Sequence, residues 1–449
     1  MKVNKIAHIL LAILLLGFNT VAFTQNTMSF SLEQARDYAV KNNYAVKNAQ
    51  IGVDMAKKKV WETTAIGLPQ VTGSATVNDY IKIPTTLIPG DFIGLPPGQF
   101  VEIEFGTKYN ATYGLTIGQL LFNGSYIVGL QTANIYKKLS DQNLEKSEAD
   151  VKDMVTGTYY LVLVAEESKR ILDSIYKNIS RTYFEVQQFY KEGFVELSDV
   201  DQMKMNVTNL ENKIEPLNKQ IEVAYRLLKY QMGVDLDQDI TLTDKLYDII
   251  DKINFDALAA QPQDVNRNVD YKLLNTQEQL LFLNLKNEKA KLLPTLSAFY
   301  TTNRNAQRQE FDIFKGGQRW FPTTLMGVNL NVPLFGSGQK LARISQAKMQ
   351  LDQIKNSKMQ LEQGLELQAT QARSELLSAL IKYKNEHDNV ITSKNIYDRT
   401  YIKYKEGLAT SSDLYLQHTQ YLTAQTNYIQ AISDLLTAKN KLDKTLGNY

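Results

Sequence analysis

The chain contains no cysteine. That excludes disulfides, thiolate catalysis and cysteine metal sites, and it leaves no N-terminal cysteine to carry a lipid anchor. Histidine is almost as scarce: His8 lies near the N-terminus, and neither His387 nor His418 has an acid–nucleophile pattern around it. No phosphate-cradling glycine loop, metal-spaced histidine pair or nucleophile elbow is present, so no catalytic residue, no cofactor and no metal is expected. A dominant charge is also lacking, with 50 Lys plus Arg against 48 Asp plus Glu and a net of +2. Nucleic-acid binding has no electrostatic basis there. Beyond the N-terminus no run approaches the roughly 18 apolar residues of a membrane-spanning helix. A membrane location would have to be built from strands.

The N-terminus itself reads as a secretory signal over residues 1–24. Lys2 and Lys5 supply the basic start, Ile9 to Leu16 an apolar core too short to span, and small residues follow, with cleavage expected after Ala22 or Thr24. Its removal brings the formal net charge to 0.

What the sequence does contain is a repeat. Tyr190-Lys191-Glu192-Gly193, followed by Ser198-Asp199-Val200, recurs 214 residues later as Tyr404-Lys405-Glu406-Gly407 with Ser412-Asp413-Leu414. After each copy an apolar file returns every seven residues: Val200, Val207, Ile214, Ile221 and Leu228, then Leu414, Tyr421, Tyr428, Leu435 and Leu442. A second file follows three residues behind, with Met203, Leu210, Leu217 and Ala224 matched by Gln417, Ala424, Ala431 and Ala438. A sustained heptad predicts helices packed as a left-handed coiled coil. Gly193 and Gly407 suit the left-handed residue that ends a helix, and an acid near the next start suits the helix dipole. Each copy is therefore the bend of a long helical hairpin. The chain divides into a first repeat over 25–233, a mixed segment over 234–268 and a second repeat over 269–449.

Each half enters its hairpin in the same way. Ser31 with Gln34 predicts a capped helix from Leu32 to about Ala65, ended by Pro69. Period-two alternation follows from Val71, then a proline- and glycine-rich loop over Lys82–Gly106, then a clearer strand. In that strand Tyr109, Ala111, Tyr113, Leu115 and Ile117 share one face, and Asn110, Thr112, Gly114, Thr116 and Gly118 the other. Such a pattern suits an outer-membrane strand. A helix is expected from about Ile127 to Phe189, and Pro216 predicts a kink or break in the helix after the first bend. In the second half a helix ends at Leu293-Pro294. A strand over Thr295–Thr302, a loop over Asn303–Pro322 and a strand with Met326, Val328, Leu330 and Val332 on one face come next. The longest helix then runs to Tyr404. Four strands cannot close a membrane barrel, and an open edge in lipid is not tolerated, so the barrel has to be shared between chains.

The chain resembles the TolC-like outer-membrane efflux proteins across its mature length. The resemblance rests on the twofold repeat, on Leu68-Pro69 and Leu293-Pro294, on Pro-Leu-Phe-x-x-Gly at Pro333 to Gly338, and on Tyr-x-x-Gly followed six residues later by Asp at both bends. It implies a mainly α protein with membrane β structure. Long antiparallel helical hairpins would form a periplasmic tunnel continuous with a 12-stranded β-barrel shared by a homotrimer. The implied function is the outer-membrane channel-tunnel of a tripartite efflux or type I secretion system. It would be a passive conduit embedded in outer-membrane lipid, docked to a periplasmic adaptor (membrane fusion) protein and an inner-membrane efflux pump or ABC transporter. By resemblance Asp199, Tyr404 and Asp413 are periplasmic gate or constriction positions, and Tyr190, Gly193, Gly407 and Leu408 are adaptor-docking positions. Ala409 stands where the family pattern expects an arginine, and Leu416 where it expects a second acid. The rival reading is a structural trimeric coiled-coil surface protein without transport activity. It accounts for the heptads but not for the paired amphipathic strands.

Overall fold

The computed structural model describes residues 28–449; the expected signal over 1–24, with His8 and both cleavage positions, lies outside the described residues. The chain forms two compact units. One takes the chain up to Asn48 together with Lys146–Val265 and Leu365–Tyr449, and the other takes Ala49–Glu145 and Asn266–Gly364.

The second of these units holds a four-stranded antiparallel sheet. Its strands are β2 (Gln70–Asp79), β5 (Tyr109–Asn123), β7 (Thr295–Arg308) and β8 (Phe321–Asn331), in the order β2-β5-β7-β8. Every step is antiparallel, with Val71 opposite Ile117, Ile117 opposite Tyr300 and Tyr300 opposite Met326. Because side chains alternate, this register gathers the apolar residues on one face. Val71, Leu115, Ile117, Tyr300, Met326, Val328 and Leu330 are all exposed there. The opposite face carries Phe299, Phe321 and Leu325 but is otherwise polar and laced together. Thr112 donates to Asn305 (2.8 Å), Asn305 donates to Thr323 (3.2 Å), and the Thr116 and Thr301 hydroxyls are 3.1 Å apart.

Two expectations fail in this unit. The strand expected to stop at Thr302 continues to Arg308, so Arg304 and Arg308 sit on a strand and not in a loop. The 15-residue β5 has amides and carbonyls to pair along its length, and β7 follows it to Tyr109. The loop expected over Lys82–Gly106 contains a small hairpin of β3 (Thr85–Pro89) and β4 (Phe100–Glu104) around a 3-10 turn at Gly90–Ile93. Leu87 and Ile88, paired with Glu102 and Val101, were β-favouring residues hidden among the prolines.

The single helix expected over Leu32–Ala65 is two helices, α1 (Leu32–Asn42) and α2 (Tyr44–Ala65). Asn43 is extended at φ −61, ψ 135, where its side-chain amide donates to the carbonyl of Gln231 (2.6 Å) and its side-chain oxygen accepts from the Ala45 N–H (2.7 Å). The Ser31–Gln34 capping box is present at the start of α1.

The other unit contains both bends. It takes the later part of α3 (Gly124–Lys191), all of α4 (Leu197–Met232), the later part of α8 (Gln339–Lys405) and all of α9 (Ser411–Leu446). The mixed segment supplies β6 (Ile240–Leu242), parallel to β1 (Met28–Phe30), and the short helices α5 (Leu246–Lys252) and α6 (Phe255–Ala260). Asp244 knots this region: one carboxylate oxygen accepts from the Leu32 N–H (2.7 Å) and the Tyr159 hydroxyl (3.0 Å). The remaining helix, α7 (Val269–Ala290), precedes β7 in the sheet-bearing unit. At 68 residues α3 narrowly exceeds α8 at 67, so the expected longest helix is the second longest.

The heptad files point inward. Met203, Leu210, Ala224 and Leu228 are buried in α4, as are Leu414, Tyr428, Ala431, Leu435, Ala438 and Leu442 in α9. Ile429, Ile432 and Leu436 are buried too, so the final turns of α9 present a broader face than a two-file seam. Pro216 does not break α4. Its ring lies on an exposed position, where the carbonyl it leaves unpaired can be hydrated.

Candidate functional site

The two bends are built alike. Gly193 and Gly407 have φ of 78° and 71° and occupy open space, so the left-handed conformation alone requires glycine. Both close the same pair of bonds. Gly193 and Phe194 donate to the carbonyls of Tyr190 (3.0 Å) and Phe189 (2.9 Å), and Gly407 and Leu408 donate to those of Tyr404 (3.1 Å) and Lys403 (2.8 Å). The motif projects Phe194 and Leu408 from the tips, each 78% exposed.

The caps of the next helices lie three residues before their aspartates. Glu196 is the N-cap of α4 and Thr410 of α9, so Asp199 and Asp413 are the third residues of the first turns and accept from the cap N–H at 3.0 Å each. Ser198 and Ser412 are the second residues of the two helices. At the second bend the box is reciprocal: Asp413 N–H donates to the Thr410 hydroxyl oxygen (3.1 Å), and that hydroxyl donates to the Asp413 carboxylate (2.7 Å). Hydrogen bonds from the Thr410 backbone and hydroxyl hold the Asp413 carboxyl below its ordinary range.

Between the bends sits a small apolar core of Val186, Val200 and Met203, with Tyr183, Val195, Tyr404 and Tyr415 packed against it. Over this core the Ser411 hydroxyl donates to the second carboxylate oxygen of Asp199. Ser411 is itself buried. Tyr404 lies in the same group, but its enclosed hydroxyl has no hydrogen-bond partner among the described residues. Burial first, then the carboxylates of Asp199 and Glu185, push the Tyr404 phenol up. Glu185 meanwhile accepts from the Tyr401 hydroxyl (3.2 Å) and pairs with Arg181 (3.2 Å).

Further along α9, His418 is buried with its Nε2 unpartnered among the described residues, edge-on to Tyr397 at 5.7 Å. Tyr397 in turn stacks on Tyr401 and Tyr421. Burial, helped by Lys213, pushes the His418 pKa down to about 4.

Of the residues singled out from sequence, Asp199 and Tyr404 thus meet in one cluster, whereas Asp413 is engaged in its own cap. Tyr190, Gly193, Gly407 and Leu408 are exposed at the tips, with Tyr190 partly so. Ala409 is half-buried, and Leu416 is exposed. Sequence reasoning missed Phe194, although it aligns with Leu408 in the repeat. It also missed Ser411, whose counterpart is Leu197 and for which the repeat carries no signal. Among the described residues no group of three or more His, Asp or Glu is placed to hold a metal ion, and no helix is long and apolar enough to cross a membrane.

Comparison with solved structures places this architecture. The outer membrane protein VceC from Vibrio cholerae is similar over 93% of this chain and 96% of its own, with a TM-score of 0.70 at 13% identity. The CmeC outer membrane channel of Campylobacter jejuni aligns over 93% and 85%, with a TM-score of 0.69 at 18% identity. The open state of the MtrE outer membrane channel of Neisseria gonorrhoeae aligns over 93% and 88%, with a TM-score of 0.71 at 15% identity. The fold is that of TolC-like outer-membrane channels. Residues 274–448 match the outer membrane efflux protein family, a family of channels, and the resemblance drawn from the sequence is borne out. No curated protein sequence matches the chain.

Proposed function

We propose that the protein is the outer-membrane channel-tunnel of a tripartite efflux or type I secretion system. It acts as a passive homotrimeric conduit between a periplasmic adaptor with its inner-membrane pump or ABC transporter and the exterior. The observation that carries this reading is the sheet. One face exposes Val71, Leu115, Met326, Val328 and Leu330, the other is mainly a hydrogen-bonded field of threonine and asparagine, and both edge strands, β2 and β8, lack an outer partner among the described residues. An apolar face suits lipid and a polar face suits a water-filled lumen. Open edges are not tolerated in hydrocarbon, so β8 of one copy pairs with β2 of the next and three copies close the barrel. The two halves, 25–233 and 269–449, act as repeats flanking the 234–268 segment.

Within this reading the bends form the closed periplasmic entrance. Asp199 and Tyr404 hold it with Ser411, and Asp413 sets the charge near it. With Ala409 in place of an arginine, closure rests on the Asp199–Ser411 bond and the apolar core beneath it. The exposed tips, Tyr190, Gly193, Phe194, Gly407 and Leu408, receive the adaptor. Native mass spectrometry and heat-modifiable migration of the detergent-extracted protein test the assembly. A heat-sensitive trimer from outer membranes is expected, and a stable monomer would sink the proposal.

A further inference from the structure

The outer rim of the sheet carries a feature that a channel function does not absorb. On the apolar face, the rung formed by Tyr109 and Arg308 and the rung formed by Ala111 and Ala306 are covered by the chain's own loop. Ile313 and Trp320 pack on Ala111 and Ala306, which are almost fully buried, and Phe311 sits edge-on to Tyr109 at 5.3 Å. Arg308 is tied into that cover: it donates to the Arg319 carbonyl (2.6 Å) and faces Asp312 (3.5 Å), which in turn accepts from Gln318 (2.6 Å). Irregular backbone of this kind is not tolerated against hydrocarbon, so the covered rungs lie outside it.

The next rung inward is different. Arg304 stands between Tyr113 on β5 and Pro322 on β8, on the same apolar face. It is exposed and has no hydrogen-bond or ion-pair partner among the described residues. Tyr113 carries Trp320 edge-on at 4.8 Å, so an aromatic shelf stands at the strand position opposite Arg304. Below it the face is apolar or uncharged: Thr302 and Leu115, then Tyr300, Ile117 and Met326, then Ala298 and Val328, then Leu296 and Leu330. A charged arginine is tolerated on a lipid-facing strand only near the interface, and aromatic side chains mark the same level. A planar guanidinium that no protein group satisfies is suited to a phosphate.

We propose that Arg304, on the Tyr113–Trp320 shelf, binds the phosphate of a lipid headgroup in the outer leaflet and so fixes the height of the barrel in the membrane. This rests on the reading of the apolar face as lipid-facing. The occupant is a membrane lipid and not a soluble anion, because the apolar band beginning at Leu115 and Thr302 continues from the cation and would hold the acyl chains.

The test uses the full-length trimer in phosphatidylcholine nanodiscs, as wild type, Arg304→Gln and Arg304→Lys. Each is titrated with lipid A or with dephosphorylated lipid A, and bound lipid is counted by native mass spectrometry. A charge-assisted bond of this kind corresponds to a preference of about tenfold for the phosphorylated form in the wild type. Arg304→Gln should lose that preference while binding dephosphorylated lipid A as before, and Arg304→Lys should keep most of it. Equal preference in wild type and Arg304→Gln would overturn the proposal. So would displacement of lipid A by inorganic phosphate, which would mark a soluble-anion site. A fall in detergent trimer stability for Arg304→Gln without loss of lipid preference would assign Arg304 to a carboxylate of a neighbouring copy instead. If the wild type never enters the discs as a heat-modifiable barrel, the lipid-facing reading itself fails, and the proposal falls with it.

Discussion

Asp199 bridges the two bends. One of its carboxylate oxygens accepts from the N–H of Glu196 at the start of α4, and the other accepts from the Ser411 hydroxyl at the start of α9. One side chain therefore caps its own helix and holds the neighbouring one. Hydrogen bonds to a charged group contribute about 1.5–3 kcal/mol, enough to bias the proposed entrance and small enough for the proposed docking partner to offset.

Breaking that bridge should open the channel. Ser411→Ala and Asp199→Ala are each expected to raise single-channel conductance in planar bilayers, and the double variant should add little to Asp199→Ala, because the Asp199–Ser411 bond is already lost in either single variant. Tyr404→Phe should change conductance little, since the Tyr404 hydroxyl has no partner among the described residues. Tyr404→Ala, which strips the cover from Val186, Val200 and Met203, should raise it. Unchanged conductance in Ser411→Ala, Asp199→Ala and Tyr404→Ala alike would place the gate elsewhere.

The tips should be separable from assembly. Phe194→Asp and Leu408→Asp remove the exposed apolar groups without touching the core, so the trimer should persist while adaptor crosslinking and cargo export are lost. Gly407→Ala acts through the backbone, at roughly 1–2 kcal/mol for a left-handed residue with a Cβ, and should lower thermal stability as well. Trimer loss in the aspartate variants would show that the tips are structural.

Ala431 tests the packing of α9. It is wholly buried, whereas Asn427, one turn away, is exposed. Ala431→Leu should overpack the site at about 1–3 kcal/mol, seen as a lower unfolding temperature, and Asn427→Leu should be nearly silent. Equal effects would reject the inward assignment of this file.

His418 should make stability depend on pH. Its folded pKa, about 4, lies below the ordinary 6.5. Above pH 6.5 the imidazole is neutral in both states and there is no penalty. As pH falls from 6.5 towards 4, the unfolded chain takes up a proton that the folded chain does not, so stability declines across that window and levels off below it. The full effect is on the order of 3 kcal/mol per chain. Thermal unfolding at pH 7.5 and pH 5 should differ more for the wild type than for His418→Phe, and the same difference in both would reject a buried neutral imidazole.

Much of this was already fixed by the order of residues. The seven-residue files of α4 and α9, the glycines of the two bends and the alternation of Tyr109 to Gly118 are local periodicities, and local periodicity decides which face of a helix or strand is apolar. What could not be read locally depended on a partner distant in sequence. β7 reaches Arg308 because β5 is there to pair with it, and the helix expected through Asn43 breaks because that side chain finds the carbonyl of Gln231. Pro216 leaves α4 unbroken because packing places it on the exposed side. The partner of Asp199 is likewise a tertiary matter. The repeat aligned Asp199 with Asp413 and pointed to Tyr404, but a short hydroxyl such as that of Ser411 gives no periodic signal, and only the packing of two helix starts against one another selected it.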